Sequence, residues 1–321
     1  MVKFAFLGTP PFAAQTLQGL LQLGHCPTLI ISQPDRPGPS RRVLLGSAVS
    51  DWAREHVPEI PLLRPTNVSS SDFLEEISAR AIQLLLVVAY GQILRPRLLK
   101  LPPLGSLNAH ASILPKWRGA APIQRAILAG DKQTGMTLMR IAPELDAGDI
   151  VAQTTCAIPS NMTAGELEQQ LCPLASHLFG WALDKLNAGQ TLPQTPQQAT
   201  DATYAAKITK DEAYISWGES PEQTHRRMRA VTPRPGAWCI LQLDGGVRRL
   251  NLAESLPLTA ACKTQDLDKQ GSIVEAEGRI CFRCRDGLVG VRRLQVEGGR
   301  WLTPAEFSTG YRNRLIGLAL P

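Results

Sequence analysis

Short apolar runs and longer amphipathic stretches follow one another through the first half of the chain, the rhythm of strands alternating with helices. Residues 2–7 predict a strand, Gly8-Thr9-Pro10-Pro11 ends it, and residues 12–23 carry apolar positions at helical spacing. Further strands are predicted over 28–32, over 81–89 as a long buried run, and over 106–112, with helix-like segments between them. Strands that read as unbroken apolar runs and alternate with helices predict a parallel sheet covered on both faces. The fold class expected is therefore α/β, Rossmann-like. Residues 135–141 and 149–158 read as additional strands and 163–187 as a long amphipathic helix, which closes this domain at residue 188.

The pattern then changes. Residues 189–206 are polar, contain prolines and show no apolar period, and so are expected to link two domains. Beyond them, 219–231 suits a helix. From 235 onward short alternating runs are broken by Asp244-Gly245-Gly246, Glu277-Gly278, Asp286-Gly287 and Glu297-Gly298-Gly299. Such turn spacing predicts a small antiparallel β-barrel, OB-like, over 207–321. No internal repeat is visible.

Composition sharpens this picture only in part. A chain of 321 residues is long for a single small core, and 44% hydrophobic against 19% charged residues is the balance of a folded globular protein. The net charge is +6. Residues 206–321 hold 18 Lys and Arg against 13 Asp and Glu, leaving 16 against 15 before them, so the positive excess lies in the second half. That permits an anionic partner there. Seven cysteines without framework spacing point to a reducing compartment. Cys281 and Cys284 have CxxC spacing but lie in an alternating run with no second ligand pair nearby, which argues against zinc. The opening residues lack the features of a secretion signal and no apolar run reaches membrane-spanning length, so a cytoplasmic protein without membrane contact is expected.

Candidate chemistry concentrates in Ser106-Leu-Asn-Ala-His-Ala-Ser112 and in Glu144-Leu-Asp-Ala-Gly-Asp149. In a strand, a period of two places Asn108 and His110 on one face, roughly 7 Å apart. An amide can hold a developing oxyanion, an imidazole can move a proton near neutral pH, and a carboxylate such as Asp146 can orient and charge the imidazole. A lone His is more often structural than catalytic; here the polar groups fall at the end of a buried strand in an α/β sheet, where ligands bind. Together they describe an acyl-transfer site that requires no metal. The turn at Gly8 lacks a GxGxxG fingerprint, so no dinucleotide is inferred.

These residues also carry a resemblance. Asn108, His110, Ser112-Ile-Leu-Pro115, Gly119 and Leu145-Asp-Ala-Gly-Asp149 resemble the signature of the folate-dependent formyltransferases. Phe6-Leu-Gly-Thr-Pro10, Gln33-Pro-Asp-Arg-Pro37, Trp117-Arg-Gly-Ala-Ala-Pro-Ile-Gln124, Thr203-Tyr-Ala-Ala-Lys-Ile-Thr-Lys210 and Arg229-Ala-Val-Thr-Pro-Arg-Pro-Gly-Ala237 are similar to the methionyl-tRNA formyltransferase family within that group. The likeness extends over nearly the whole chain. It implies 10-formyltetrahydrofolate as donor and charged initiator tRNA as acceptor, with no DNA, no membrane and no obligate protein partner. Asn108, His110 and Asp146 are implied as the catalytic groups, and Ser112, Ile113, Leu114, Pro115 and Tyr90 as the folate-contacting ones. Arg36, Arg41, Arg42, Lys207 and Lys210 are implied on the tRNA side, with Arg226, Arg227, Arg229 and Arg234 as further members of a phosphate-facing track. Relatives carry Gly-Arg-Gly-Lys-Lys where this chain has Pro39, Ser40, Arg41 and Arg42, which keeps charge and reduces flexibility. Ser216 stands where relatives carry Asp. Two other functions compete: formyl transfer to a small amine, which would share the three catalytic groups, and RNA binding through a chain whose α/β domain is inactive.

Overall fold

The computed structural model describes residues 1–37, 44–243, 245–258, 270–311 and 315–318. These divide into two compact units. The first comprises 1–122, 133–157 and 168–205; the second comprises 123–132, 158–167 and 206–321.

In the first unit the elements run β1 (Phe4–Gly8), α1 (Pro11–Gln22), β2 (Leu29–Ile31), the small ribbon β3 (Arg36–Pro37) and β4 (Leu44–Leu45), and α2 (Ala48–His56). Next come β5 (Leu62–Leu63), α3 (Ser71–Ala79), β6 (Leu84–Val88), α4 (Pro96–Leu99), β7 (Ser106–His110) and the two-residue β8 (Arg118–Gly119). The helix α5 (Pro122–Ala129), which apart from Pro122 belongs to the second unit, leads to β9 (Gln133–Arg140), β10 (Ile150–Ala157), α6 (Ala164–Asn187), whose first four residues also belong to the second unit, and β11 (Tyr204–Ala205). Seven of the strands form one sheet in the order β10-β9-β7-β6-β1-β2-β5. All five residues of β1 and all five of β6 are buried, as the apolar runs required for strands covered on both faces. The pairings among β5, β2, β1, β6 and β7 are parallel, whereas β9 and β10 add to the edge antiparallel. The sheet is therefore mixed. Hairpin-like addition at one edge is what the short β9 to β10 connection allows, since a parallel crossover needs a dozen or more residues.

The chain proceeds from β1 outward through β2 and β5, then returns to the other side of β1 with β6 and β7. That reversal is a topological switch point, and the carboxyl ends of β1, β6 and β7 border it. At Gly8, the last residue of β1, a Cβ would lie 2.6 Å from the Cβ of Ala13 and 2.9 Å from the ring of Phe6. This glycine is explained by the close packing of α1 against β1, in keeping with a turn role.

The second unit contains α7 (Pro221–Ala230), β12 (Ala237–Leu243), β13 (Gly246–Leu258), β14 (Ile273–Ala276), β15 (Arg279–Arg283), β16 (Leu288–Val296), α8 (Pro304–Tyr311) and β17 (Leu315–Leu318). Its six strands form an antiparallel sheet in the order β14-β15-β16-β13-β12-β17. The expected barrel takes the form of a curled sheet around one core, in which Trp217 stacks on Phe282 with ring centroids 4.4 Å apart. Helix α7 starts at a capping box between Ser220 and Gln223, which satisfies two backbone donors of its first turn.

Candidate active site

Strand β7 carries both groups that its period of two aligns. Asn108 is half-buried, and its carboxamide makes no side-chain hydrogen bond among the described residues. His110 is 6% exposed and engaged at both ring nitrogens. Its Nε2 lies 2.8 Å from the carbonyl oxygen of Trp117, and its Nδ1 lies 3.6 Å from Oδ2 of Asp146. A carbonyl only accepts, so Nε2 carries a proton in this arrangement. The Nδ1 contact is ion-pair distance rather than a hydrogen bond. Nε2 thus faces a carbonyl and Nδ1 a carboxylate.

Asp146 is itself held. Its Oδ2 accepts the backbone N–H of Gly119 at 2.9 Å. Both Trp117 and Asp146 have left-handed backbones, with φ of 63° and 49°. Non-glycine residues there cost roughly 1–3 kcal/mol each and persist only where surrounding contacts over-determine them. Those contacts are visible for Trp117: its N–H donates to Oγ1 of Thr203 at 2.9 Å, and the next N–H, of Arg118, donates to the Thr203 carbonyl at 2.8 Å. Strands β8 and β11 then pair in parallel through Arg118 with Tyr204 and Gly119 with Ala205. At Gly119 φ is 120° and a Cβ would stand 2.8 Å from the Ala205 carbonyl oxygen. Only glycine suits that close approach.

The loop leaving β7 is more internally committed than a purely ligand-facing segment would be. Ser112 is fully buried; its N–H donates to the His110 carbonyl at 2.9 Å and its hydroxyl to the Lys116 carbonyl at 2.6 Å. The strand expected over 106–112 therefore ends at His110. Thr137 of β9 donates its hydroxyl to the Ser112 carbonyl at 2.6 Å and accepts the Leu114 N–H at 3.1 Å. Gln153 of β10 donates to the Leu114 carbonyl at 2.9 Å. Leu114 is buried, with a cis peptide to Pro115, while Ile113 and Pro115 are half-buried. Of the four expected folate contacts in this loop, Ile113 and Pro115 keep accessible apolar surface; Ser112 and Leu114 shape the loop. Tyr90 is 2% exposed and belongs to the core beneath the sheet, where burial pushes its phenol pKa up and leaves its hydroxyl without a partner.

The residues expected on the tRNA side separate. Arg36 is exposed on β3, and Arg41 and Arg42 lie outside the described residues. Lys207 and Lys210 are exposed. Two of the further arginines of the expected track do not face solvent as free cations. Arg229 is 8% exposed and donates to the Met162 carbonyl at 2.8 Å, and Arg227 is paired with Glu219. An α-helix buries one face whatever the charges on it, and α7 turns positions 225, 228 and 229 inward. Cys281 and Cys284 are both fully buried thiols.

Reasoning from sequence missed the residues that hold the site from a distance: Thr137, Gln153 and Thr203. Thr137 and Gln153 are polar side chains in strands without a motif of their own, and Thr203, though it opens the Thr203–Lys210 motif, carried no expected role; register and hydrogen bonding reveal all three. Thr137 stands directly opposite His110 in the pairing of β7 with β9.

Comparison with known proteins gives this geometry a family. The formyl transferase model matches residues 2–182, and the model of the formyl transferase C-terminal domain matches 207–312. A methionyl-tRNA formyltransferase from Bartonella bacilliformis is 37% identical over 309 residues, covering 96% of this chain and 97% of its own length. One from Halorhodospira halophila is 38% identical over 314 residues, covering 97% and 96%. Among solved structures, an N-formyltransferase from Helicobacter canadensis in complex with folinic acid and dTDP-3-aminofucose superposes with a TM-score of 0.64 at 18% identity, covering 91% of this chain and 99% of that one. HypX from Aquifex aeolicus in complex with tetrahydrofolic acid does so at 0.63 and 17%, covering 96% and 48%. At such identity these two structures speak for the fold alone. The two formyl transferase domains in sequence, with full-length relatives at this identity, show that the chain belongs to the methionyl-tRNA formyltransferase family.

Proposed function

We infer that the chain transfers a formyl group from 10-formyltetrahydrofolate to the α-amino group of methionine on charged initiator tRNA, in the cytoplasm. The observation that carries this reading is the asymmetry on β7: a carboxamide without a partner among the described residues at Asn108 beside an imidazole fixed between a carboxylate and a carbonyl at His110. Half-buried Ile113 and Pro115 supply apolar surface on the adjoining loop, and this set of groups fits a donor that joins a flat ring to a polar formyl group. The donor supplies an activated formyl carbon when bound.

Asn108 is positioned to donate to the formyl oxygen as negative charge develops on it. His110, with the Asp146 carboxylate beside its Nδ1, is assigned to the same developing charge and to proton transfer. As the amine nitrogen bonds to the formyl carbon it loses a proton, and as the bond from that carbon to the folate nitrogen breaks the leaving nitrogen takes one up. His110 relays that proton only by exchanging its bond to the Trp117 carbonyl, so the geometry favours charge stabilisation as its main role. The positive excess after residue 205 favours a polyanionic acceptor over a small amine, with Lys207 and Lys210 as exposed cations and Arg36, Arg41 and Arg42 contributing from the first unit. In domain terms, residues 1–188 carry the chemistry, 189–206 connect, and 207–321 engage tRNA.

The direct test offers charged initiator tRNA, charged elongator tRNA and glycinamide ribonucleotide with one formyl donor. Selective formylation of the initiator is expected. Preference for the small amine would overturn the assignment.

A further inference from the structure

Residues 189–202 carry no motif, yet they lie along the first unit as an ordered strap. Thr195 exchanges both backbone hydrogen bonds with Ile150, at 2.8 and 2.9 Å. Two residues on, Gln197 uses its whole carboxamide. Its Nε2 donates to the carbonyl of Asp146 at 2.9 Å and to that of Gly148 at 2.7 Å. Its Oε1 accepts from Nε and Nη2 of Arg118 at 3.0 and 2.7 Å. Two donors and two lone pairs saturate an amide.

Both partners matter to the site. Arg118 is 6% exposed and forms no ion pair among the described residues, so Gln197 is the acceptor of a buried cation. Arg118 also immediately precedes Gly119, whose N–H holds the Asp146 carboxylate. On the other side, the two carbonyls that Gln197 grips flank Ala147, directly after the left-handed turn at Asp146. One side chain therefore ties the segment that presents the carboxylate to the segment that receives it.

We propose that Gln197 is a positioning residue of the formyl-transfer reaction, clamping the Asp146 turn so that its carboxylate stays opposite His110. This rests on the reading that Asp146 acts through His110. A nearby alternative is that Gln197 merely satisfies Arg118 and supports folding. The substitutions Gln197→Ala and Gln197→Glu separate the two. Glutamate keeps an acceptor for Arg118 but has no donors for the two carbonyls.

The experiment measures single-turnover formylation of charged initiator tRNA by the full chain across pH, with tetrahydrofolate affinity and thermal melting alongside. Wild type, Gln197→Ala, Gln197→Glu, Asp146→Asn and the Gln197→Ala/Asp146→Asn double variant are compared. Gln197→Ala is expected to lose about 10- to 100-fold in rate, the range for outer-shell partners of a charged site, with folate affinity within about twofold. Gln197→Glu should be impaired similarly, and the double variant should resemble Asp146→Asn. If Gln197→Ala does not fold, the glutamate variant carries the same comparisons. A wild-type rate in Gln197→Ala, recovery in Gln197→Glu, or fully multiplicative losses in the double variant would overturn the clamp. A wild-type rate in Asp146→Asn would instead remove the reading beneath it.

Discussion

Two segments meet at the Asp146 carboxylate and differ in almost everything. Residues 106–119 are dense in motif, begin in a buried strand and present Asn108 and His110 by simple alternation. Residues 189–205 are polar and without period, yet Gln197 and Thr203 fix the backbone on which His110 and Asp146 depend. Chemistry declares itself in sequence where one residue type is needed in one place. Support does not, because any side chain with a suitable donor and reach can provide it, and its partners lie far away in the chain. The difference repeats in the second unit. There Lys207 and Lys210 are exposed cations, whereas Arg229, equally basic in sequence, is buried against backbone carbonyls.

The sharpest way to break the contrast is to remove the groups the motif presents. Asn108→Ala and His110→Ala should each lose roughly 100-fold or more in single-turnover rate, since one acts on the developing oxyanion and the other supplies charge or a proton. Melting temperature should change little for Asn108→Ala, whose carboxamide has no partner among the described residues. Asp146→Asn should fall in the same direction, and its combination with His110→Ala should resemble the His110 variant alone. Near-wild-type turnover by a folded Asn108 or His110 variant would show that the motif marks structure rather than chemistry.

A second measurement addresses the buried polar face of α7. Burial, and secondarily the cation of Arg229, lowers the His225 pKa to about 4. Its ring lies 5% exposed, with Nδ1 2.8 Å from Ser255 Oγ and Nε2 3.1 Å from the Ser160 carbonyl. The unfolded chain takes up a proton near pH 6.5 that the folded chain refuses until about 4. Stability is thus present above about 6.5 and is lost as pH falls toward 4, by at most about 3 kcal/mol. Urea midpoints of wild type and His225→Gln against pH provide the check, and equal slopes through that window would refute it.

The pairing of strap and motif is tested by Gly119→Ala, which places a methyl 2.8 Å from the Ala205 carbonyl at a φ of 120°. A loss of about 1–3 kcal/mol is expected from strain and displaced pairing. The rate should fall as well, because Gly119 also holds Asp146; a variant as stable and active as wild type would mean the two segments are not tightly coupled.

The smallest effects belong to the exposed cations. Lys207→Ala and Lys210→Ala should each weaken tRNA binding a few-fold and reduce the slope of log affinity against log salt by about 1. Folate affinity should not respond. Unchanged slopes in both variants would detach these lysines from the tRNA surface.

By itself the sequence determined the alternating α/β order, the position of the long helix, the antiparallel second half and the placement of Asn108 and His110 on one strand face. Those follow from local periodicity, which burial imposes residue by residue. The sequence motifs also pointed to Asp146, which the fold brings to 3.6 Å from His110, and to the formyltransferase family. Tertiary structure alone decided that β9 and β10 run antiparallel, that Ser112 and Leu114 turn their polar groups to Thr137 and Gln153, and that Tyr90 sinks into the core. It also decided that His110 is gripped at both nitrogens and that a segment read as a linker braces the turn bearing its counter-charge. Each of these rests on a contact, a hydrogen bond or a register made in the folded chain, and such a partner leaves no period in the sequence for which to look.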